Sequence, residues 1–195
     1  MSLYVELKRK HFHLNILFYL GGYEFFGRET ALWILGFWGL FVGVVEWGRF
    51  RYPDLNSFLL RIFGGIHRKE EVLDWSGVPF ATLGCWILMA LEPDPDIVRS
   101  SVLFLIFGDM AAALVGKRFG RHKLPGVLGW PDTGKTWEGF LACWGVCWCL
   151  GIFFLPNETA FLGALTAAVM EVLPLPGKDN LWIPVGCGIV MGWMR

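Results

Sequence analysis

Residues 96–116 read Asp96-Ile-Val-Arg99-Ser-Ser-Val-Leu-Phe-Leu-Ile-Phe-Gly-Asp109-Met-Ala-Ala-Ala-Leu-Val-Gly116. Beyond Asp96, all but Arg99 and Asp109 are apolar or small, and the stretch is long enough for a helix to cross a hydrocarbon core, which takes about 20 residues. Working outward from it, apolar runs with few charges recur at 13–27, 30–47, 76–91, 137–155, 158–173 and 180–194. The expected fold class is therefore all-α: one polytopic integral membrane bundle, residues 1–195, of about seven transmembrane helices. Several runs are short for a crossing, which predicts tilt or local thinning of the bilayer. The first, interrupted by Glu24, also fits a half-buried helix.

The composition points the same way. Of 195 residues, 55% are hydrophobic and 17% charged, with eleven Trp and seventeen Phe, against roughly a quarter charged in a soluble domain. Seventeen Lys and Arg balance seventeen Asp and Glu, so a nucleic-acid partner, with its basic footprint, is not expected. The five cysteines, Cys85, Cys143, Cys147, Cys149 and Cys187, form no Cys-x-x-Cys and lie in apolar runs, which predicts packing roles rather than disulfides or zinc. A basic patch precedes the first run, but no small-residue cleavage site follows it, so the segment is read as retained.

Placing the charges orients the bundle. With the N-terminus inside, the inner segments hold fourteen of the seventeen Lys and Arg, and the outer side keeps only Arg28, Arg99 and Arg195. That alternation follows the positive-inside rule and sets the basic loops on the cytoplasmic side.

Ionisable residues within apolar spans are costly and mark function by default. Asp109, among small residues that permit close helix approach or a local break, could hold Mg²⁺ or accept a proton. Glu46 and Arg49, spaced i,i+3, end the second run, and Glu171 lies near the inner end of the sixth. All four map to the cytoplasmic end. The loop from Lys117 to Thr136 is basic and glycine-rich and runs into a helix expected to begin near Trp137. Free backbone N–H groups there, with Lys135 beside them, suit phosphates. Within this loop Gly129–Thr136 matches a Walker A pattern, but a P-loop needs a buried strand just before it, and Arg121-His122-Lys123 stands there instead. The final inner loop puts Asp179 and Asn180 at the start of the last run. Asp179 is suited either to capping that helix or, beside Lys178, to completing a Mg²⁺–triphosphate site, and Pro184 suggests a kink.

Four blocks together resemble the CTP-using membrane lipid-alcohol kinases, a family that includes dolichol, phytol and farnesol kinases and the yeast-type diacylglycerol kinase. They are Arg9-Lys10-x-x-His13; Glu46-x-x-Arg49; Gly108-Asp109-x-Ala111-Ala112-x-x-x-Gly116-Lys117-x-x-Gly120 followed by Lys135-Thr136-x-Glu138-Gly139; and Asp179-Asn180 with Pro184, preceded by Glu171. The spacer Leu124–Gly134 is long for the family. The resemblance implies transfer of the γ-phosphoryl of CTP, with Mg²⁺, to the hydroxyl of a polyprenol, dolichol, phytol or diacylglycerol.

It also implies residue roles. Lys135 would serve the triphosphate, with Lys117, Arg118, Thr136 and Asn180 around the nucleotide. Asp109, Glu138 and Asp179 become candidates for Mg²⁺ or for the base, and Arg9, Lys10, His13, Glu46, Arg49 and Glu171 would support them. Phosphatidate cytidylyltransferases share the middle block, but their C-terminal signature has a His and a second Gly pair. Pro176-Gly177-Lys178-Asp179-Asn180 has neither, which favours the kinase over CDP-lipid synthesis. A transporter would instead carry broken helices in paired halves. The implied partners are CTP, a membrane lipid alcohol and the bilayer, and the oligomeric state is not legible.

Overall fold

The computed structural model describes residues 3–62, 74–125, 134–175 and 179–195, with side chains from residue 7 onward. Among the described residues the structure is helical throughout: α1 (Leu3–His13), α2 (Leu17–Arg51), α3 (Pro53–Ile62), α4 (Gly77–Leu91), α5 (Pro95–Leu103), α6 (Asp109–Phe119), α7 (Trp137–Gly151), α8 (Asn157–Val172) and α9 (Asp179–Trp193). A short 3₁₀ turn, Leu14–Ile16, links α1 to α2, and a π turn, Phe104–Gly108, joins α5 to α6 in one continuous rod. The only β geometry among these residues is the antiparallel bridge between Lys123 and Thr136. Every apolar run read from the sequence coincides with helix to within a few residues. Among the described residues, two stretches, Leu7–Arg51 and Pro95–Phe119, are by length and composition apolar enough to cross a membrane.

The two N-terminal runs are the arms of α2. Gly27 has φ +78° and ψ 168° inside that helix, a conformation that a Cβ would make costly. Its effect shows in the contact between Trp38 Nε1 and Tyr19 Oη at 2.9 Å. In a straight helix those residues would stand nearly 30 Å apart at 1.5 Å per residue, so the chain folds back on itself at Gly27. Tyr19 Oη is also 2.9 Å from Thr82 Oγ1, which ties the hairpin to α4.

Around this hairpin, α7 packs on α6 and α8, α8 on α9, α9 on α4, and α4 on α2. Small residues let the helices approach. Ala160, Ala164, Ala167 and Ala168 on α8 are fully buried, as are Cys143, Cys147 and Cys187, and all five cysteines are free thiols. At Gly139 a Cβ would lie 2.9 Å from the Ala112 carbonyl oxygen, so glycine there sets the α6–α7 spacing. Several large apolar side chains of α2 are instead exposed: Phe25 is 87% exposed, Trp33 71% and Phe37 68%.

Charge segregates to the two ends of the bundle. At one end, Arg99 holds Glu24 through Nε at 2.7 Å and Nη2 at 2.8 Å and reaches Asp96 at 2.7 Å. Arg28 donates to the Met89 and Ala90 carbonyls at 2.7 and 2.6 Å, and Arg195 pairs with Asp94. The three basic residues assigned from sequence to the outer side thus meet at one end. Lys10, Asp109, Lys135, Glu171 and Asp179 gather toward the other, Asp109 being about 15 Å along the helix axis from Arg99.

Candidate active site

The site is built where α1, α6, α7, α8 and α9 converge. Asp109 opens α6 directly after the π turn. A wide turn of that kind interrupts the regular ladder and re-aims the side chains that follow it, and such turns recur at functional sites. His13 Nε2 lies 3.3 Å from the Leu105 carbonyl within that turn and 3.5 Å from Asp109 Oδ2. Lys10, 3% exposed, forms an ion pair with Asp109.

Lys135 comes from the loop ahead of α7. Thr136 caps that helix, its Oγ1 accepting from Gly139 N at 3.2 Å. The loop closes on itself through Leu124 N to Lys135 O at 2.9 Å and Trp137 N to His122 O at 3.0 Å, with Gly134 at φ +69°. So anchored, Lys135 Nζ pairs with the Glu171 carboxylate, donates to the Glu171 carbonyl at 2.9 Å, and stands 3.6 Å from Asp179 Oδ2. Burial lowers the Lys135 pKa, but the Glu171 and Asp179 carboxylates outweigh it, so the net shift is upward and the ammonium stays charged.

One oxygen from each of Asp109, Glu171 and Asp179 lies within 4.8 Å of the other two. These carboxylates come from α6, α8 and α9. Glu138 does not join the group. Its carboxylate accepts from the Arg121 and His122 backbone N–H groups at 3.1 and 3.2 Å and lies 2.8 Å from His122 Nδ1, folding the start of the basic loop. Glu171, read from sequence as a supporting residue, stands inside the group instead. The signal available in sequence was only its position at the end of an apolar run; its convergence with Asp109 and Asp179 requires three helices to pack.

The remaining candidates are spread around a cavity of about 920 Å³ between α1, both arms of α2, α3 and the start of α4. Arg9, Lys10, His13, Asp109, Asp179 and Asn180 line it, and Asn180 Nδ2 donates to the Gly77 carbonyl at 3.2 Å, which fixes α9 against α4. Along the same wall, Glu46 and Arg49 are buried. Arg49 Nε donates to Glu46 at 3.0 Å, Nη1 lies 3.4 Å from Asn56 Oδ1, and Nη2 donates to the Asp74 carbonyl, while Ser76 N donates to Glu46 Oε2 at 3.2 Å. This pair clamps the end of α2 to α3 and to the approach of α4. Most of the rest of the lining is apolar and includes Phe18, Ile34, Trp38 and Phe41, all of which are exposed. Lys117 and Arg118 are exposed at the end of α6. Lys178 and residues 129–133 of the Walker-like stretch lie outside the described residues. Among the described residues before it stand α6 and a turn closed by the Lys123–Thr136 bridge.

No family model and no solved structure matches the chain. Curated proteins do. The chain is 32% identical over 205 residues to a CTP-dependent diacylglycerol kinase of Schizosaccharomyces pombe, covering 92% of this chain and 89% of the relative. To the protein of the same name in Saccharomyces cerevisiae it is 27% identical, covering 95% and 72%. A phytol kinase of Synechocystis is 30% identical over 49% of this chain and 43% of its own length. With a relative so similar over nearly the whole of both sequences, the chain belongs to the CTP-dependent lipid kinase family.

Proposed function

We propose that the chain transfers the γ-phosphoryl group of CTP to the hydroxyl of a membrane lipid alcohol of the polyprenol, phytol or diacylglycerol class, at the cytoplasmic face of a seven-span bundle. The observation that carries this reading is the meeting of a carboxylate–lysine cluster with the polar end of a long apolar cavity. A lipid alcohol fits there with its chain against Phe18, Ile34, Trp38 and Phe41 and its hydroxyl beside Asp109 and Asp179. Because those apolar residues are also exposed, the chain can enter sideways from the bilayer.

Mg²⁺ is implied by the family, and the donor set fits it. Three carboxylate oxygens from three elements form a hard, anionic site of the kind that magnesium and manganese take. Bound there, the ion would neutralise charge on the triphosphate. The chain's own residues would do the rest. Lys135, directly before Thr136, the N-cap of α7, presents an ammonium where helix N–H groups already favour phosphate. Lys10 and Arg9 approach the same space from α1. The hydroxyl proton passes to a carboxylate oxygen of Asp109 or Asp179, the two members of the cluster that line the cavity. Glu138, by folding Arg121 and His122 together, shapes the basic loop over the nucleotide.

The test is to incubate the purified protein with CTP, Mg²⁺ and, in separate reactions, a polyprenol, a diacylglycerol or phosphatidate, with ATP in parallel. CDP and a lipid monophosphate support the reading. Pyrophosphate and a CDP-lipid made from phosphatidate would overturn it in favour of cytidylyl transfer.

A further inference from the structure

Each carboxylate of the Asp109–Glu171–Asp179 group faces a lysine. Lys10 pairs with Asp109, and Lys135 pairs with Glu171 and reaches Asp179 at 3.6 Å. Among the groups in direct contact, three carboxylates outnumber two ammoniums in a largely buried pocket, which Arg9 borders from the cavity wall. We infer that Lys10 and Lys135 are displaceable counter-ions of this group, so that divalent metal and triphosphate bind as one coupled unit and neither binds tightly alone. The inference rests on the reading of the cluster as the metal–nucleotide site.

The argument is one of charge. A metal ion arriving alone meets two ammoniums already in place; seating it strands at least one lysine without a partner in a poorly solvated site, which is costly. A triphosphate arriving alone finds its lysines turned toward carboxylates and meets three carboxylates with no metal to offset them. When both arrive together, the metal takes the carboxylates and the lysines turn to the phosphates, so every charge keeps a partner.

The side chains are suited to that exchange. Lysine is a compact charge on a flexible four-carbon stem. Lys135 is rooted next to the α7 N-terminus, so its ammonium needs only a short swing from Glu171 to a phosphate there. Lys10 is rooted on α1 at the cavity wall. Coupling of this kind is reciprocal: metal strengthens nucleotide binding by the factor by which nucleotide strengthens metal binding.

The experiment uses the full chain in nanodiscs without lipid acceptor, Mn²⁺ as the probe metal read by electron paramagnetic resonance, and equilibrium dialysis of labelled CTP. For the unmodified protein, CTP is expected to tighten Mn²⁺ binding by roughly 5- to 150-fold, the usual span of such couplings. Lys135→Gln is expected to bind Mn²⁺ more tightly than the unmodified protein when no nucleotide is present, and CTP more weakly, while Lys135→Arg keeps Mn²⁺ binding weak. A Lys135→Gln protein that is folded and monodisperse yet binds Mn²⁺ no more tightly overturns the inference. So does an unmodified protein whose Mn²⁺ affinity is the same with and without CTP, a measurement that needs no variant to fold. A kinase assay with CTP on the same preparation separates the two levels: no lipid phosphate removes the functional reading, whereas the Mn²⁺ titrations decide the exchange.

Discussion

Asp109 is the residue on which the site turns. It is buried, it follows the π turn, and it touches Lys10, His13 and the metal-ready group together. Removing one preorganised charge from such a site costs on the order of 100-fold or more in turnover. Asp109→Asn and Lys135→Ala are therefore each expected to lower kcat by at least that factor while the protein stays monodisperse in detergent; near-normal kcat in either variant removes that residue from the site. Glu138→Gln should behave differently, because its carboxylate holds backbone N–H groups and His122 rather than the cluster. The expected result is a raised KM for CTP with Mn²⁺ affinity unchanged, and lost Mn²⁺ binding would return Glu138 to the metal. Asp109, Lys135 and Asp179 could be singled out in sequence because a charge inside or beside an apolar run has few inexpensive explanations. The grouping was not legible there: Glu171 lies 36 positions from Lys135 and Glu138 only three, yet it is the distant one that the lysine meets.

At the level of elements, apolar runs and loop chemistry gave most of the helices, and the start of α7 at Trp137 follows from Thr136 as its cap. Two features left weaker traces. The reversal at Gly27 is a single glycine within a stretch that is helical on both sides, and only tertiary contacts such as Tyr19 with Trp38 reveal it. Helix α3, with Pro53 in its first turn and no buried residue, sits in what reads as loop, since its ten residues give the apolar pattern little length to show. The α6–α7 contact carries a prediction at this scale. At Gly139 the obstacle to a Cβ is backbone, the Ala112 carbonyl, which cannot rotate aside. Overpacking of this kind costs about 1–3 kcal/mol. Gly139→Ala should lower the melting temperature in detergent and, by shifting α7 and Lys135, reduce activity as well; an unchanged melting temperature would mean that the two helices separate without penalty.

For the whole molecule, overall neutrality conceals two charged ends. The end remote from the site is held by Glu24, Arg28, Asp94, Asp96, Arg99 and Arg195, with Glu92 buried among them at 9% exposure. Burial raises the Glu92 pKa above its ordinary 4.5, and Arg195 and Arg28 offset this only in part. A carboxyl with a raised folded-state pKa binds more protons folded than unfolded, so stability falls as pH rises through that window. The charged form is then a cost at neutral pH. Glu92→Gln, whose amide oxygen can still accept from Asp94 N, should raise the melting temperature at pH 7 and leave it unchanged below pH 4.5, where both forms are neutral. An equal gain at both pH values would point to packing rather than charge.

The same polarity predicts an orientation in the membrane. Lys123 is an exposed member of the basic loop and Pro93 an exposed residue of the opposite end, so the two report on opposite faces if the bundle spans the bilayer as proposed. Cys149, the exposed native cysteine, is first replaced by serine to leave a silent background. In intact cells, a membrane-impermeant thiol reagent should then label Pro93→Cys and spare Lys123→Cys until the membrane is opened, because the positive-inside rule holds the basic loop in the cytosol where CTP is made available. The reverse pattern would put the lysine cluster outside and invert the topology. Labelling of both sites from one side would mean that the helices between them do not cross, and the lateral entry of a lipid alcohol would then have to be abandoned with the seven-span bundle.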